Sequence, residues 1–199
     1  MLKTVVKISK VNNLSDARYC AGMGVDLLGF SMDEIPVEKF REMRGWLAGV
    51  QIVGETTSTD VDAIREMVEN FQPDYIQVTS FEVLESLKAL GLPLILRVGF
   101  ATDNLPALFQ STAALVDTFL VESSDDFAHL DQATVNLLDA WAFKYPILVG
   151  FGITESNVNE VLEQVPAKGV ALSGGQEIRP GYSEMDDLMN VLEVLETED

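Results

Sequence analysis

Short apolar stretches alternate with longer amphipathic ones along the whole chain, at residues 4–9, 27–31, 50–54, 75–79, 94–98, 119–122, 147–150 and 170–173. Each is aliphatic or β-branched and nearly continuous, the pattern of a parallel strand covered on its outer face by helices. The segments between them carry helix-start signals. Ser15 and Asp16 open the first, Pro36 the second, residues 58–62 the third, Asp103 and Asn104 the fifth, and Thr154 and Glu155 the seventh. Gly22, Gly24 and Gly91 fall where helices should end. Eight strand–helix alternations with no long insert predict an α/β fold, one (β/α)8 TIM barrel over residues 1–199. An open doubly wound sheet is the alternative, and it usually has fewer strands. Only the tail, residues 193–199, reads as a fraying acidic helix end.

In such a barrel, chemistry sits at the C-terminal ends of the strands. Those ends here are polar, small or charged: Ser9 and Lys10, Asp33, Glu55, Thr79, Arg97, Glu122, Gly150 to Gly152, and Ser173 to Gly175. Ser173, Gly174 and Gly175 follow the last apolar run, so the backbone can approach a ligand and turn N–H groups toward an anion. A phosphate is therefore expected at Gly152 and Ser173–Gly175, with Gly150 beside it, on backbone N–H groups at a short helix N-terminus. Arg97 interrupts an apolar strand and needs an anionic partner, either a protein carboxylate such as Glu55 or Glu122, or a ligand. Gln77, also within a strand, either bonds across the barrel interior or faces a ligand. Cys20, in mid-helix, reads as a small core residue. His129 reads as a solvated loop residue near the mouth.

Charge narrows the partners. With 32 acidic against 13 basic residues the net charge is −19, which argues against nucleic acid and requires any bound anion to have a local cationic patch. One cysteine and one histidine exclude a disulfide and a Cys/His metal cluster, and the single cysteine fits a reducing cytoplasm. The first residues read as a strand rather than a signal peptide, and no apolar run approaches the length of a membrane span. No cofactor or metal is expected. The expected partner is a phosphorylated small molecule, bound by a monomer or homodimer.

Four stretches together resemble phosphoribosylanthranilate isomerase over nearly the whole chain. Residues 7–17, from Lys7-Ile8-Ser9-Lys10 to Asp16-Ala17, are similar to the family opening K-I-C-G-I-T-N-x-x-D-A. Residues 24–30 are similar to G-A-D-x-x-G-F, residues 74–78 to a V-Q-L-H-G strand, and residues 173–181 to a closing S-S-G-V-E-x-x-P-G. The resemblance implies an Amadori isomerisation of a phosphoribosylamine in tryptophan biosynthesis, with the motif cysteine as general base and an aspartate ending strand six as general acid.

The departures fall on that chemistry. The cysteine position is Ser9, the glycine after it is Lys10, and the acid position aligns with Glu122. The glycine-rich segment after strand six is replaced by residues 124–129, the strand-four histidine by Thr79, and the first glycine of the strand-seven pair by Phe151. No arginine follows strand two in residues 32–38. A serine hydroxyl is too weakly acidic to serve alone as a general base. Native isomerase activity is therefore expected to be absent or very low. Three readings stay open: the family reaction with Glu122 as acid and Lys10 as base; a different reaction on a phosphorylated ligand using Glu55 and Glu122; and a barrel that only binds a metabolite or a protein partner.

Overall fold

Eight strands pair in chain order and close on themselves: β1 Val5–Ser9, β2 Leu27–Ser31, β3 Gln51–Glu55, β4 Tyr75–Val78, β5 Leu94–Gly99, β6 Thr118–Glu122, β7 Ile147–Val149 and β8 Gly169–Ser173. The computed structural model describes residues 1–124, 129–174, 185–197 and the backbone of 177–179 and 182–183. Closure is made by the β1–β8 pair, in parallel register from Val5 opposite Gly169 to Ser9 opposite Ser173. A Cβ at Gly169 would overlap the Val5 carbonyl, so glycine is what lets the last strand dock on the first.

Helices α1 Leu14–Gly22, α2 Val37–Arg44, α3 Val61–Phe71, α4 Leu84–Lys88, α5 Leu105–Thr112, α6 Gln132–Ala142, α7 Val158–Gln164 and α8 Asp186–Leu195 return the chain between strands and cover their outer faces. Their starts follow local chemistry. Asn13, Asp60 and Asp131 each accept a backbone N–H of the first turn of α1, α3 and α6. Gly24 and Gly91 adopt positive φ (82° and 70°) just after helical segments, as their positions predict. Among the described residues following Ser173, 177–179 and 182–183 form an antiparallel ribbon, β9 Glu177–Arg179 with β10 Tyr182–Ser183.

Between the barrel wall and the helices lies the main apolar core, including Val6, Ile8, Phe30, Ile64, Ile76, Phe109 and Leu192. A smaller cluster fills the barrel itself: Leu27, Val53, Ile95, Leu120, Leu148 and Ala171. The base is tied by a repeated device. Asp26, Asp74 and Asp117, each just before an even-numbered strand, accept the backbone N–H of Val6, Ile52 and Leu94 in the preceding odd one, at 2.9, 2.7 and 2.9 Å. Part of the large negative charge is thus structural. Above the apolar plug, the inward positions of the same strands change character to Lys7, Ser9, Glu55, Gln77, Arg97 and Glu122, because side chains two residues apart share a face.

Candidate active site

Lys7 is fully buried inside β1, and its ammonium defines the centre of the site. Its Nζ donates to Ser9 Oγ at 2.6 Å and to Glu55 Oε1 at 2.5 Å. The other Glu55 oxygen accepts the backbone N–H of Lys10 at 3.1 Å. A charge this deep requires such partners, since an unpaired ammonium would not remain there. Gly29, on β2 between β1 and β3, makes the room: a Cβ there would overlap Glu55 Oε1 and come to 3.0 Å from Lys7 Nζ.

Lys10 has φ 57°, the left-handed region that glycine adopts without penalty and a lysine rarely does. That conformation aims its N–H at Glu55, while the residue itself is exposed. Ser9 is 3% exposed. Arg97, in β5, meets Glu122 at the end of β6, Nε to Oε2 at 2.5 Å. Of the partners open to Arg97 from sequence, the neighbouring strand supplies Glu122, while Glu55 is engaged by Lys7.

A cavity of about 330 Å³ at the barrel mouth brings Ser9, Lys10, Glu55, Gln77, Arg97 and Glu122 together. Thr79 lines it too, and Asp33 stands at its rim, accepting from Thr56 Oγ1 at 2.6 Å and from the backbone N–H of Thr57 at 2.7 Å. Gln77 is buried in β4, and its Oε1 has no donor among the described residues.

The glycines expected to cradle an anion divide. The N–H of Gly150 donates to the Val121 carbonyl, and that of Gly174 to the Ser9 carbonyl, each at 2.8 Å, so neither is available to a ligand. Gly152 has positive φ (66°) beside them, and Ser173 is exposed at the end of β8. Gly175 lies outside the described residues.

Two other residues are settled by position. Burial of Cys20, with the Asp16 charge adding to it, pushes its thiol up to about 12, so it is a core residue rather than a nucleophile. His129 is exposed. Sequence reasoning missed Lys7, although a lysine in the run Val5-Val6-Lys7-Ile8 carries the same signal that singled out Arg97. Among the described residues no cluster of His, Cys, Asp and Glu could hold a metal ion, and no helix is long and apolar enough to cross a membrane.

Residues 6–194 match the family model of N-(5'-phosphoribosyl)anthranilate isomerase. A relative with that name from Rhodopseudomonas palustris is 26% identical over 93% of this chain and 94% of its own length. Among solved structures, phosphoribosyl anthranilate isomerase from Thermotoga maritima superposes with a TM-score of 0.79 at 19% identity, covering 96% of this chain and 98% of its own. A structure of such an isomerase in complex with reduced 1-(o-carboxyphenylamino)-1-deoxyribulose 5-phosphate gives 0.75 at 20% identity, with the same coverage.

Proposed function

Because the chain belongs to the N-(5'-phosphoribosyl)anthranilate isomerase family, we propose that its mouth holds a phosphorylated sugar-like ligand while converting the family substrate very slowly or not at all. One observation carries this reading. The Oγ of Ser9, standing where the family resemblance places the base, already accepts an N–H from the Lys7 ammonium at 2.6 Å. A hydroxyl so engaged has a lone pair occupied and a positive charge beside it, both of which oppose taking up a proton.

The ligand half of the proposal draws support from the relative that binds a deoxyribulose 5-phosphate analogue. In this reading the phosphate lies against Gly152, Ser173 and Gly174, with Lys10 just past the strand next to β8 and Arg97 across the mouth as the cations of the cavity. Glu122 is the group that handles a proton in any chemistry that persists, accepting one on the carboxylate that Arg97 now pairs with before giving it back, and a monomer or homodimer suffices for the site. A second reading keeps the family reaction with Lys10 as base, favoured by Ser9, Lys10 and Glu122 lining one cavity.

Complementation of a tryptophan auxotroph lacking this isomerase, beside a steady-state assay with phosphoribosylanthranilate, separates the two. Growth with turnover of about 1–10³ s⁻¹, the ordinary enzyme range, overturns the proposal. A well-expressed protein that supports no growth upholds it. Ser9→Cys then raises activity if the remaining site is competent, and no gain places the defect in the altered loop after β6 and the missing arginine after β2.

A further inference from the structure

Resting on the phosphate-binding reading above, we propose that the end of the ligand away from the phosphate is a set of N–H or O–H donors, a protonated amine foremost. It is not the benzoate carried by phosphoribosylanthranilate. In a closed ring of eight strands in chain order, β3 and β4 lie across the mouth from β7 and β8. A ligand held by its phosphate at Gly152 and Ser173 therefore extends toward Glu55, Thr56 and Gln77, with Asp33 at the rim.

Oxygen acceptors are concentrated on that wall: the carboxylates of Asp33 and Glu34, the threonine hydroxyls and the amide oxygen of Gln77. Gln77 is 5% exposed and lines the cavity, yet its Oε1 meets no donor among the described residues. A buried amide oxygen left without a donor is unfavourable, and a ligand N–H or O–H relieves it. Asp33 cannot swing away from the mouth, because Thr56 Oγ1 holds one of its oxygens and the Thr57 N–H and Oγ1 hold the other, at 2.6, 2.7 and 3.1 Å. Glu34 adds a second rim carboxylate. Around the whole cavity four acidic residues (Asp33, Glu34, Glu55 and Glu122) face two basic ones (Lys10 and Arg97). Arg97 is already engaged with Glu122, and the buried Lys7 is taken up by Glu55 and Ser9. A carboxylate entering this side meets like charge, whereas an ammonium or a row of hydroxyls finds acceptors.

The test uses three phosphate esters of matched length that differ in charge away from the phosphate: glucosamine 6-phosphate, glucose 6-phosphate and 6-phosphogluconate. Each is titrated calorimetrically into the full chain in about 0.15 M salt, where Debye screening over about 8 Å suppresses the long-range effect of the net charge. The amine is expected to bind about tenfold or more tightly than the carboxylate, the selectivity that one changed charge contributes at a partly screened site, with the neutral sugar between them. Asp33→Asn with Glu34→Gln narrows that gap and leaves inorganic phosphate binding unchanged. Gln77→Leu weakens the amine and the neutral sugar but not inorganic phosphate, a thermal melt confirming that the variant folds. Binding of 6-phosphogluconate as tight as that of the amine, or a gap that survives the Asp33/Glu34 change, overturns the proposal while phosphate still binds. If inorganic phosphate and all three esters fail at millimolar concentration, the phosphate reading itself is wrong, and the proposal falls with it.

Discussion

Replacing Glu55 with glutamine removes the counter-charge of a lysine that has no contact with water. The Lys7 side chain is 0% exposed and that of Glu55 9%, with Nζ and Oε1 at 2.5 Å. At an effective dielectric of about 20, two unit charges at this separation attract by about 7 kcal/mol. Most of that attraction offsets the loss of hydration suffered by both ions, so the pair contributes far less than 7 kcal/mol to stability. Removing one partner is different, because the remaining ammonium keeps its desolvation cost and loses the attraction. Glu55→Gln is therefore expected to destabilise the protein by about 3–5 kcal/mol. Lys7→Met combined with Glu55→Met removes both ions together and is expected to lie within about 2 kcal/mol of the parent. The remaining loss comes from the N–H of Lys10, which gives up its acceptor at 3.1 Å. Urea unfolding followed by circular dichroism and tryptophan fluorescence measures both changes, provided the m-value stays constant. A Glu55→Gln variant within about 1 kcal/mol of the parent would show that water reaches Lys7 and that the buried-pair reasoning is wrong.

The second ion pair should behave otherwise. Arg97 and Glu122 have side chains 33% and 17% exposed, so Glu122→Gln is expected to cost only about 1 kcal/mol, and it lowers any turnover the protein has by about 10²–10⁴-fold if Glu122 delivers a proton. A thermal melt beside an activity assay checks both, and a loss above about 3 kcal/mol refutes the screening argument. Cys20 provides a pH test: burial raises its thiol from 9.0 to about 12, so the native state favours the neutral form. With the folded value above the unfolded one, that stabilisation is complete below pH 9 and is lost as pH rises toward 12, about 2 kcal/mol of it by pH 10.5. Melts at pH 7.5 and 10.5 should show a steeper alkaline loss for the parent than for Cys20→Ala, and rapid alkylation of the native thiol at pH 8 would contradict its burial.

What could be read from sequence was whatever depends on periodicity and local chemistry. The eight apolar runs match β1 to β8 to within one or two residues, because continuous burial leaves a continuous apolar record. Glu122 was one of two protein partners, beside a ligand, open to Arg97, and the register of β5 with β6, Gly99 opposite Glu122, brings it within reach. Illegible features were those that depend on what a neighbouring strand supplies. The N–H groups of Gly150 and Gly174 are consumed by carbonyls of β6 and β1, which no local pattern announces. Lys7 had a local signal, but its partner lies on β3 and is reached only because Gly29 on the intervening β2 has no side chain. The pairing of Glu177–Arg179 with Tyr182–Ser183 was likewise not announced by any local pattern.

Ser9 and Lys7 must be considered together, since the same ammonium would act in opposite ways on the two side chains that position nine can carry. A thiol ionises near 8.5, and a hydroxyl only far above that, in the range of water. An adjacent cation lowers either by about 1–3 units. For a thiol, that shift yields a large thiolate fraction at neutral pH, a base ready for use. For a hydroxyl, the same shift leaves it several units out of range, while the N–H that Lys7 donates occupies the oxygen that would have to accept the proton. The buried Lys7–Glu55 pair thus supports proton transfer by a cysteine and suppresses it in the serine that is present. The 2.5 Å bond to Glu55 holds the Lys7 ammonium in place beside Ser9 rather than turning it toward the cavity.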